Sequence, residues 1–232
     1  MKVWKSALVS FNKVNAKLEE IVYNDSVCDY KAKKAKVGYL AFAKQVGEIT
    51  NGLIRIQTEI IDGDEIIQLS LNHSTEEKAA VWIDSFNLID SLNNNRISIT
   101  TGQYDSIFAI LPYEAEGLNT RYHLWGWGQY APKTLFGATY GCLPLGPGWD
   151  LDNFDGEAYL HEWLHGVCQF FKDSGFTIPE EESDGAEKYG YKRTPEGSWI
   201  NYYRDLMNNR ILTKEGNIGI PKEAWLSKTP SE

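Results

Sequence analysis

The first strong pattern of apolar and polar positions lies in residues 29–50 and predicts an amphipathic helix. Apolar residues recur there three and four positions apart, as on one face of an α-helix. They are Ala32, Ala35, Tyr39, Phe42, Val46 and Ile49. Asn51-Gly52 then supplies a stop signal, so the helix is expected to end near residue 50.

A different periodicity follows. Residues 53–61 alternate, with isoleucines at 54, 56 and 60 and polar residues between them, which predicts a half-buried strand. Asp62-Gly63 is typical of a tight turn, so residues 65–71 are expected to return as the hairpin partner. Ser74 and Glu77 then form a capping-box pattern, and helical spacing from Ala79 to about residue 93 predicts a second helix.

Three further segments complete the pattern. Residues 107–111 are continuously apolar and end at Pro112, which predicts a strand buried on both faces. Residues 134–145 favour a β-strand but contain Gly137, Gly141 and Pro144, so we expect an edge strand near a cleft. Asp155 can cap a helix over residues 156–172. An apolar stripe on that helix predicts that it lies in the core: Leu160, Trp163, Leu164, Val167, Cys168 and Phe171.

This order of elements predicts an α+β fold with a mixed sheet, and we find no internal repeat or linker. Residues 1–232 are therefore expected to form one domain. Its sheet-containing part spans about residues 1–155, and its helical C-terminal part about residues 156–232.

Composition and charge argue against some classes of function. The 232 residues are 42% apolar and carry a net charge of −9, which argues against nucleic-acid binding because that affinity needs clustered cations. No run reaches the roughly 18 apolar residues of a membrane span. Residues 1–11 are too interrupted by Ser6 and Ser10 for a signal peptide, so a secreted or periplasmic location would require a leader removed before Met1.

The number and spacing of the cysteines give little indication of structure or function. Cys28, Cys142 and Cys168 are an odd number and contain no CxxC spacing. The spacing therefore predicts neither a disulfide framework nor a cysteine-based zinc cluster, although one disulfide and one thiol would be compatible with the count.

The helix predicted over residues 156–172 contains the motif HExxH. His161 and His165 are four residues apart, so both imidazoles project from one helix face and can hold one zinc ion. Glu162 is then placed beside a zinc-activated water. The alternative is a pair of histidines held by hydrogen bonds in a polar cleft.

With this motif the sequence resembles the zincin metallopeptidases, and the five residues 161–165 carry the resemblance. It implies a twisted mixed sheet with an edge strand over the cleft, packed on the active-site helix. It also implies a peptide or protein substrate and one catalytic Zn²⁺. Glu162 would take a proton from water as general base and return it to the leaving amine as general acid.

A catalytic zinc needs a third protein ligand. The metzincin extension is absent, because Cys168 and Phe171 stand where it requires Gly and His. No histidine follows His165, which leaves a downstream carboxylate, the upstream His73 or His123, or a cysteine. Resemblance to gluzincins favours Glu187 on a following helix, and resemblance to aspzincins favours Asp184 one turn earlier.

Other roles stay open. Asp184 and Glu187 could instead form a capping box, and Glu180, Glu181 and Glu182 are expected to form a solvated loop. Candidate donors to a developing oxyanion are Tyr189, Tyr191, Tyr202, Tyr203 and His123. Four aromatic residues could form a wall for a ligand, namely Tyr122, Trp125, Trp127 and Tyr130. That wall supports a second hypothesis, a catalytically silent module that binds glycan or protein through a Trp-rich surface.

Overall fold

A computed structural model describes residues 1–72, 79–113, 122–124, 126–132, 136–145 and 156–232. This part of the chain has a mixed α+β architecture with a mixed sheet and five α-helices. Among the described residues, no helix combines the length and apolar character that a membrane crossing requires.

The main sheet has six strands. They are β1 (Lys2–Leu18), β2 (Ile21–Ser26), β3 (Ile54–Ile66), β6 (Ser106–Pro112), β8 (Trp127–Tyr130) and β9 (Thr139–Leu145). The strands pair in the order β2-β1-β6-β9-β8, and β3 pairs with β1 in addition. The β1–β3, β1–β6 and β6–β9 pairs are parallel, whereas β1–β2 and β8–β9 are antiparallel.

Helices cover the two faces of this sheet. Helix α1 (Asp29–Ile49) and helix α3 (Glu157–Asp173) share one core cluster, in which Trp4, Phe42 and Trp163 meet through edge-to-face contacts. Helix α2 (Ser85–Asn94) packs into a second cluster on the opposite face. Because they lie between the clusters, β6 and residues 6–11 of β1 are buried on both faces, as expected for central strands of a mainly parallel sheet.

Smaller elements complete the description. Strands β4 (Ser70–Asn72), β5 (Ala79–Trp82) and β7 (Tyr122–Leu124) form a second sheet. After α3 come a 3₁₀ helix (Glu182–Asp184), α4 (Ile200–Leu206), a hairpin of β10 (Ile211–Thr213) and β11 (Gly216–Ile218), and α5 (Lys222–Leu226). The C-terminal part is therefore helical, with one short hairpin that the sequence did not predict.

Several predicted elements are confirmed. Helix α1 matches residues 29–50, β6 covers residues 107–111, and α3 matches residues 156–172. The N-cap of α3 is Gly156 in a left-handed conformation, and Asp155 lies outside the described residues. The three cysteines, all of them described, form no disulfide.

Other predictions were wrong. The hairpin at Asp62-Gly63 does not form, since β3 continues through both residues to Ile66. Glycine is needed at position 63 because the Phe11 ring occupies the space that a Cβ would fill. Close packing of β3 against β1 therefore explains this glycine.

The second helix begins later than predicted. Asp84 caps it with a reciprocal capping box involving Asn87, and Ala79–Trp82 form strand β5 instead of its first turn. Ser74 and Glu77, the predicted capping pair, lie outside the described residues.

The predicted edge strand over residues 134–145 was also wrong. Strand β9 is an interior strand because β6 and β8 flank it, and it is buried at all seven positions; within the described ranges it is β8 that ends the strand order. Strand β1 was not predicted; its residues 6–11 are buried on both faces of the sheet and show no alternation, which is confined to the two ends of the strand.

Candidate metal centre

The two histidines of the HExxH motif lie side by side on α3. His161 and His165 are one helical turn apart, and their ring centroids are 5.0 Å apart. The opposite side of the helix is fixed in the core, where Leu160, Leu164 and Val167 are fully buried. Packing of this apolar stripe therefore turns both imidazoles toward a cleft.

Asp184 approaches the same point from the 3₁₀ helix. Its carboxylate oxygens lie 3.6 Å from Nε2 of His161 and 3.6 Å from Nε2 of His165. Among the described residues, these three side chains form a group whose potential ligand atoms all lie within 4.8 Å of one another. The chain can return to the histidines because Gly175 ends α3 in a left-handed conformation, with φ of 90°.

Each histidine is also held through its other ring nitrogen. Nδ1 of His161 lies 2.9 Å from Oη of Tyr203, and Nδ1 of His165 lies 3.1 Å from Oε2 of Glu182. Glu182 in turn accepts a hydrogen bond of 2.9 Å from Nζ of Lys172. Both Nε2 atoms are left facing Asp184, which is the arrangement of metal-binding histidines oriented by outer partners.

Glu162 lies in the same cleft but is almost completely buried, with 5% of its surface exposed. Burial raises the pKa of this carboxyl group to about 8, and the charge of His165 only partly opposes this. Without a cation nearby, Glu162 is therefore protonated at neutral pH.

Burial also shifts the pKa values of the two histidines. It lowers the pKa of His161 to about 4, together with the charge of His165. Burial acts in the same direction on His165, but the Glu182 hydrogen bond and the nearby carboxylates outweigh it, so the pKa of His165 is raised. Glu182 has a lowered pKa because hydrogen bonds from His165 and Lys172 outweigh its own burial.

Glycines on β8 and on α3 let the helix approach the strand closely. A Cβ at Gly128 on β8 would overlap the carbonyl oxygen of Glu162, and one at Gly166 on α3 would lie 2.6 Å from the carbonyl oxygen of Gln129. Close packing of α3 on the edge strand therefore requires glycine at both positions.

The cleft has a volume of about 330 Å³. It is lined by Gly126, Trp127, Gly128, His161, Glu162, His165 and Asp184. Trp127 stacks on Trp82 with ring centroids 5.1 Å apart. One wall of the cleft is thus the edge strand β8, and the other is formed by the motif residues and Asp184.

Glu187 is exposed and does not belong to the group of three. Gly185 and Ala186 are buried, and a Cβ at Gly185 would contact Tyr202 and Tyr189. Because the chain is held against the protein at these two positions, the side chain of Glu187 faces the solvent. The helix expected to carry Asp184 and Glu187 on one face is a 3₁₀ helix followed by turns. No capping box between these two residues is seen in this described segment.

The other third-ligand candidates are two upstream histidines and a cysteine. His73 and the side chain of His123 lie outside the described residues. Cys168 is fully buried in the core cluster and is not part of the group, although its spacing of three residues from His165 places it on the same face of α3.

The tyrosine hydroxyls proposed as oxyanion donors have partners elsewhere. Tyr189 bonds to Glu181, Tyr191 to Asp205, and Tyr202 to the carbonyl oxygen of Glu182. The Tyr203 hydroxyl contacts His161. Three of these tyrosines therefore brace the segments around the site, and Tyr203 contacts it directly.

The contact of Glu182 with His165 was not predicted from the sequence. A solvated loop was expected at residues 180–182, but the Glu182 side chain is only 19% exposed. Its backbone has a left-handed φ of 52°, which is uncommon for a residue with a Cβ. Nothing in the spacing of Lys172, Glu182 and His165 indicates their contact, because a chain reversal creates it.

The tryptophan-rich composition is partly explained by the core. Trp4, Trp163 and Trp225 are fully buried and pack against one another. Of the predicted aromatic wall, Trp127 and Tyr130 are half-buried, whereas Trp125 and the side chain of Tyr122 lie outside the described residues.

Comparison with protein-family models, with curated proteins and with solved structures gives no match to this chain.

Proposed function

We propose that this protein is a zinc-dependent hydrolase that cleaves peptide bonds, with a zincin-like arrangement of its active-site helix. The observation that carries the proposal is the convergence of His161, His165 and Asp184 on one point, with Glu162 in the same cleft. An accidental pair of histidines would not require the third ligand or the adjacent acid.

The donor set fits zinc. Two imidazole nitrogens and one carboxylate oxygen are typical ligands of a catalytic zinc, which keeps its fourth position open. Both Nδ1 atoms are occupied by Tyr203 or Glu182, so the Nε2 atoms are the ones available to a metal. Asp184, rather than Glu187, is therefore proposed as the third ligand.

Zinc bound there would polarise a substrate carbonyl and lower the pKa of a water molecule. A bound cation would also favour the ionised form of Glu162, whose pKa is otherwise raised by burial. Ionised Glu162 would then accept a proton from the water and, once protonated, donate it to the nitrogen of the leaving amine.

The shape of the cleft favours an extended substrate. Strand β8 ends the strand order of the sheet and contributes Trp127 and Gly128 to the cleft. A strand edge beside the metal ligands can pair with the backbone of an extended peptide. This wall is the reason for preferring a peptide over another amide or ester.

Metal analysis combined with a peptide-library digest tests the proposal. We expect one zinc per chain, and cleavage that a chelator abolishes and zinc restores. Glu162→Gln should retain the zinc and lose turnover, because glutamine keeps the shape of the side chain but cannot accept the proton. Equal turnover in that variant would refute the mechanism, and bound zinc without any turnover would instead favour the silent binding module.

A further inference from the structure

A second cavity lies on the face of the main sheet that is turned away from α1 and α3. It has a volume of about 210 Å³ and is lined by Lys5, Gln57, Thr58, Glu59, Gln103 and Tyr104. The described lining of the metal cleft shares none of these residues. On β1, Trp4 belongs to the core cluster of α1 and α3, so the next residue, Lys5, points to the opposite face. The cavity is therefore separate from the proposed active site.

The pairing of β1 with β3 places one cation and one carboxylate in this cavity. The two strands are parallel, with Lys5 opposite Gln57 and Ala7 opposite Glu59. Lys5 and Glu59 are thus diagonal neighbours, one strand apart across the sheet and two residues apart along it, which is a separation of about 8 Å. Because side chains stand roughly perpendicular to a sheet, their charged groups start from points about that far apart.

The Glu59 carboxylate is held by a chain of hydrogen bonds. The Tyr104 hydroxyl donates to Oε2 of Glu59 at 2.6 Å and accepts from Nε2 of Gln103 at 3.1 Å. The side-chain oxygen of Gln103 accepts in turn from the amide of Thr100 at 2.9 Å. Burial raises the pKa of Tyr104 to about 12, so this hydroxyl keeps its proton and remains a donor. One oxygen of Glu59 is therefore oriented, and no described group donates to Oε1.

Lys5 is anchored through its backbone and not through its side chain. Its amide donates to Oδ2 of Asp105, and its carbonyl oxygen accepts from the amide of Asp105, both at 2.7 Å. Within the described ranges the Lys5 ammonium forms no ion pair, so Nζ lies more than 4.0 Å from the carboxylate oxygens of Glu59. Both side chains are exposed, so a ligand that enters the cavity can reach them.

The charges of the cavity select the chemistry of the ligand. A ligand with a single charge would pair with Lys5 or with Glu59 and be repelled by the other. A zwitterion satisfies both, because its carboxylate accepts from Lys5 and its ammonium donates to Glu59. The amide groups of Gln57 and Gln103 offer further donors and acceptors. The volume lies below the roughly 300–1,000 Å³ of pockets for drug-sized ligands, so the ligand is small.

We propose that this cavity binds a free amino acid through both of its charged groups, with the carboxylate on Lys5 and the ammonium on Glu59. A dipeptide carries the same two groups farther apart, and the experiment below distinguishes the two. The inference does not depend on the proposed function, because no proposed zinc ligand takes part and binding requires no turnover.

Titration calorimetry on the full chain tests the proposal. The protein is first treated with a chelator, because zinc itself binds amino acids. The probes are the individual L-amino acids and, for the one that binds most tightly, its N-acetyl derivative, its amide and its dipeptide. We expect a Kd of about 1 mM or below for at least one amino acid. The N-acetyl derivative and the amide should each bind at least about tenfold more weakly, since each lacks one charge-assisted hydrogen bond.

Two variants assign these preferences to the two charged residues. Lys5→Gln should abolish the preference for the acid over its amide and keep the preference for the free over the acetylated amine. Glu59→Gln should do the reverse, a pair of opposite changes that a general loss of folding would not produce. Lys17→Gln is the matched control and should keep both preferences, because Lys17 is an exposed lysine of β1 outside the cavity.

Several results would overturn the inference. They are the absence of binding by every amino acid, tighter binding of the dipeptide than of the amino acid, and wild-type preferences in either Lys5→Gln or Glu59→Gln. Amino acids that bound elsewhere in the protein would produce the last of these. Zinc content and turnover, measured on the same two variants, should equal those of the wild type, so the outcome here is independent of the zinc and cleavage assays.

Discussion

Oε2 of Glu182 lies 3.1 Å from Nδ1 of His165. An ionised carboxylate can only accept a hydrogen bond, so Nδ1 carries a proton, and in the neutral imidazole the lone pair of Nε2 faces Asp184. Lys172 holds the other carboxylate oxygen of Glu182 at 2.9 Å. This chain of contacts selects one tautomer and one ring orientation for His165 before any metal arrives.

Glu182→Gln should therefore weaken zinc binding by about 10- to 100-fold, the usual cost of losing an outer partner of a metal-binding histidine. The affinity is measured by competition with a chelator of known strength. Glu180→Gln is the control, since it removes the same charge from an exposed side chain two residues away. Equal zinc affinity in both variants would show that the Glu182 contact does not orient His165.

Asp184→Ala should weaken zinc binding more than Glu182→Gln does, because it removes a ligand rather than a partner of a ligand. The Asp184 side chain is 69% exposed, so little loss of folding stability is expected. Glu187→Ala is the matched comparison and should keep the zinc affinity of the wild type. If Glu187→Ala loses the metal and Asp184→Ala keeps it, Glu187 is the third ligand after all.

The sequence predicted some residues of this site and not others. The histidines and Glu162 could be named because the motif is local and one helix displays all three. The choice between Asp184 and Glu187 depended on how the chain turns after Gly175, and helical spacing could not show that a 3₁₀ helix and turns replace a regular helix. Local patterns carry no information about such a return.

The elements of the fold likewise differ in how far the sequence predicts them. Helices α1 and α3 were predictable because each buries one stripe of apolar residues. Strand β1 was not, since neighbours on both faces of its central residues 6–11 remove there the alternation that marks a half-buried strand. Strand β9 was mistaken for an edge strand because Gly141 was taken as a sign of an edge, whereas the Phe108 ring of β6 occupies the space that a Cβ there would fill.

Gly128→Ala should destabilise the protein by about 1–3 kcal/mol or more, the cost of overpacking a close contact. Its Cβ would overlap the carbonyl oxygen of Glu162 and lie 2.9 Å from Cβ of His165, so β8 and α3 would have to separate. Urea denaturation measures the loss. Gly47→Ala is the control. Gly47 lies within helix α1, and the nearest atom to an added Cβ would be the carbonyl oxygen of Ile54, 3.8 Å away. That variant should be neutral or more stable by up to about 1 kcal/mol, and a neutral Gly128→Ala would contradict the close packing.

The buried acid gives the metal-free protein a characteristic pH dependence. The pKa of Glu162 is raised from 4.5 to about 8 in the folded state, so the folded state binds its proton more tightly than the unfolded chain does. This contribution to stability is fully present below pH 4.5 and is lost as the pH rises through 8. Glu162→Gln, which stays neutral, lacks this dependence.

In the presence of a chelator, Glu162→Gln should therefore gain stability relative to the wild type between pH 5 and pH 8, by on the order of 3 kcal/mol. Taking the difference between the two proteins at each pH cancels the titration of groups that do not interact with Glu162. Urea denaturation at pH 5, 6, 7 and 8 measures it. Adding zinc should reverse the trend, because a bound cation favours the ionised carboxylate of the wild type. A difference independent of pH would show that Glu162 is not desolvated in the folded protein.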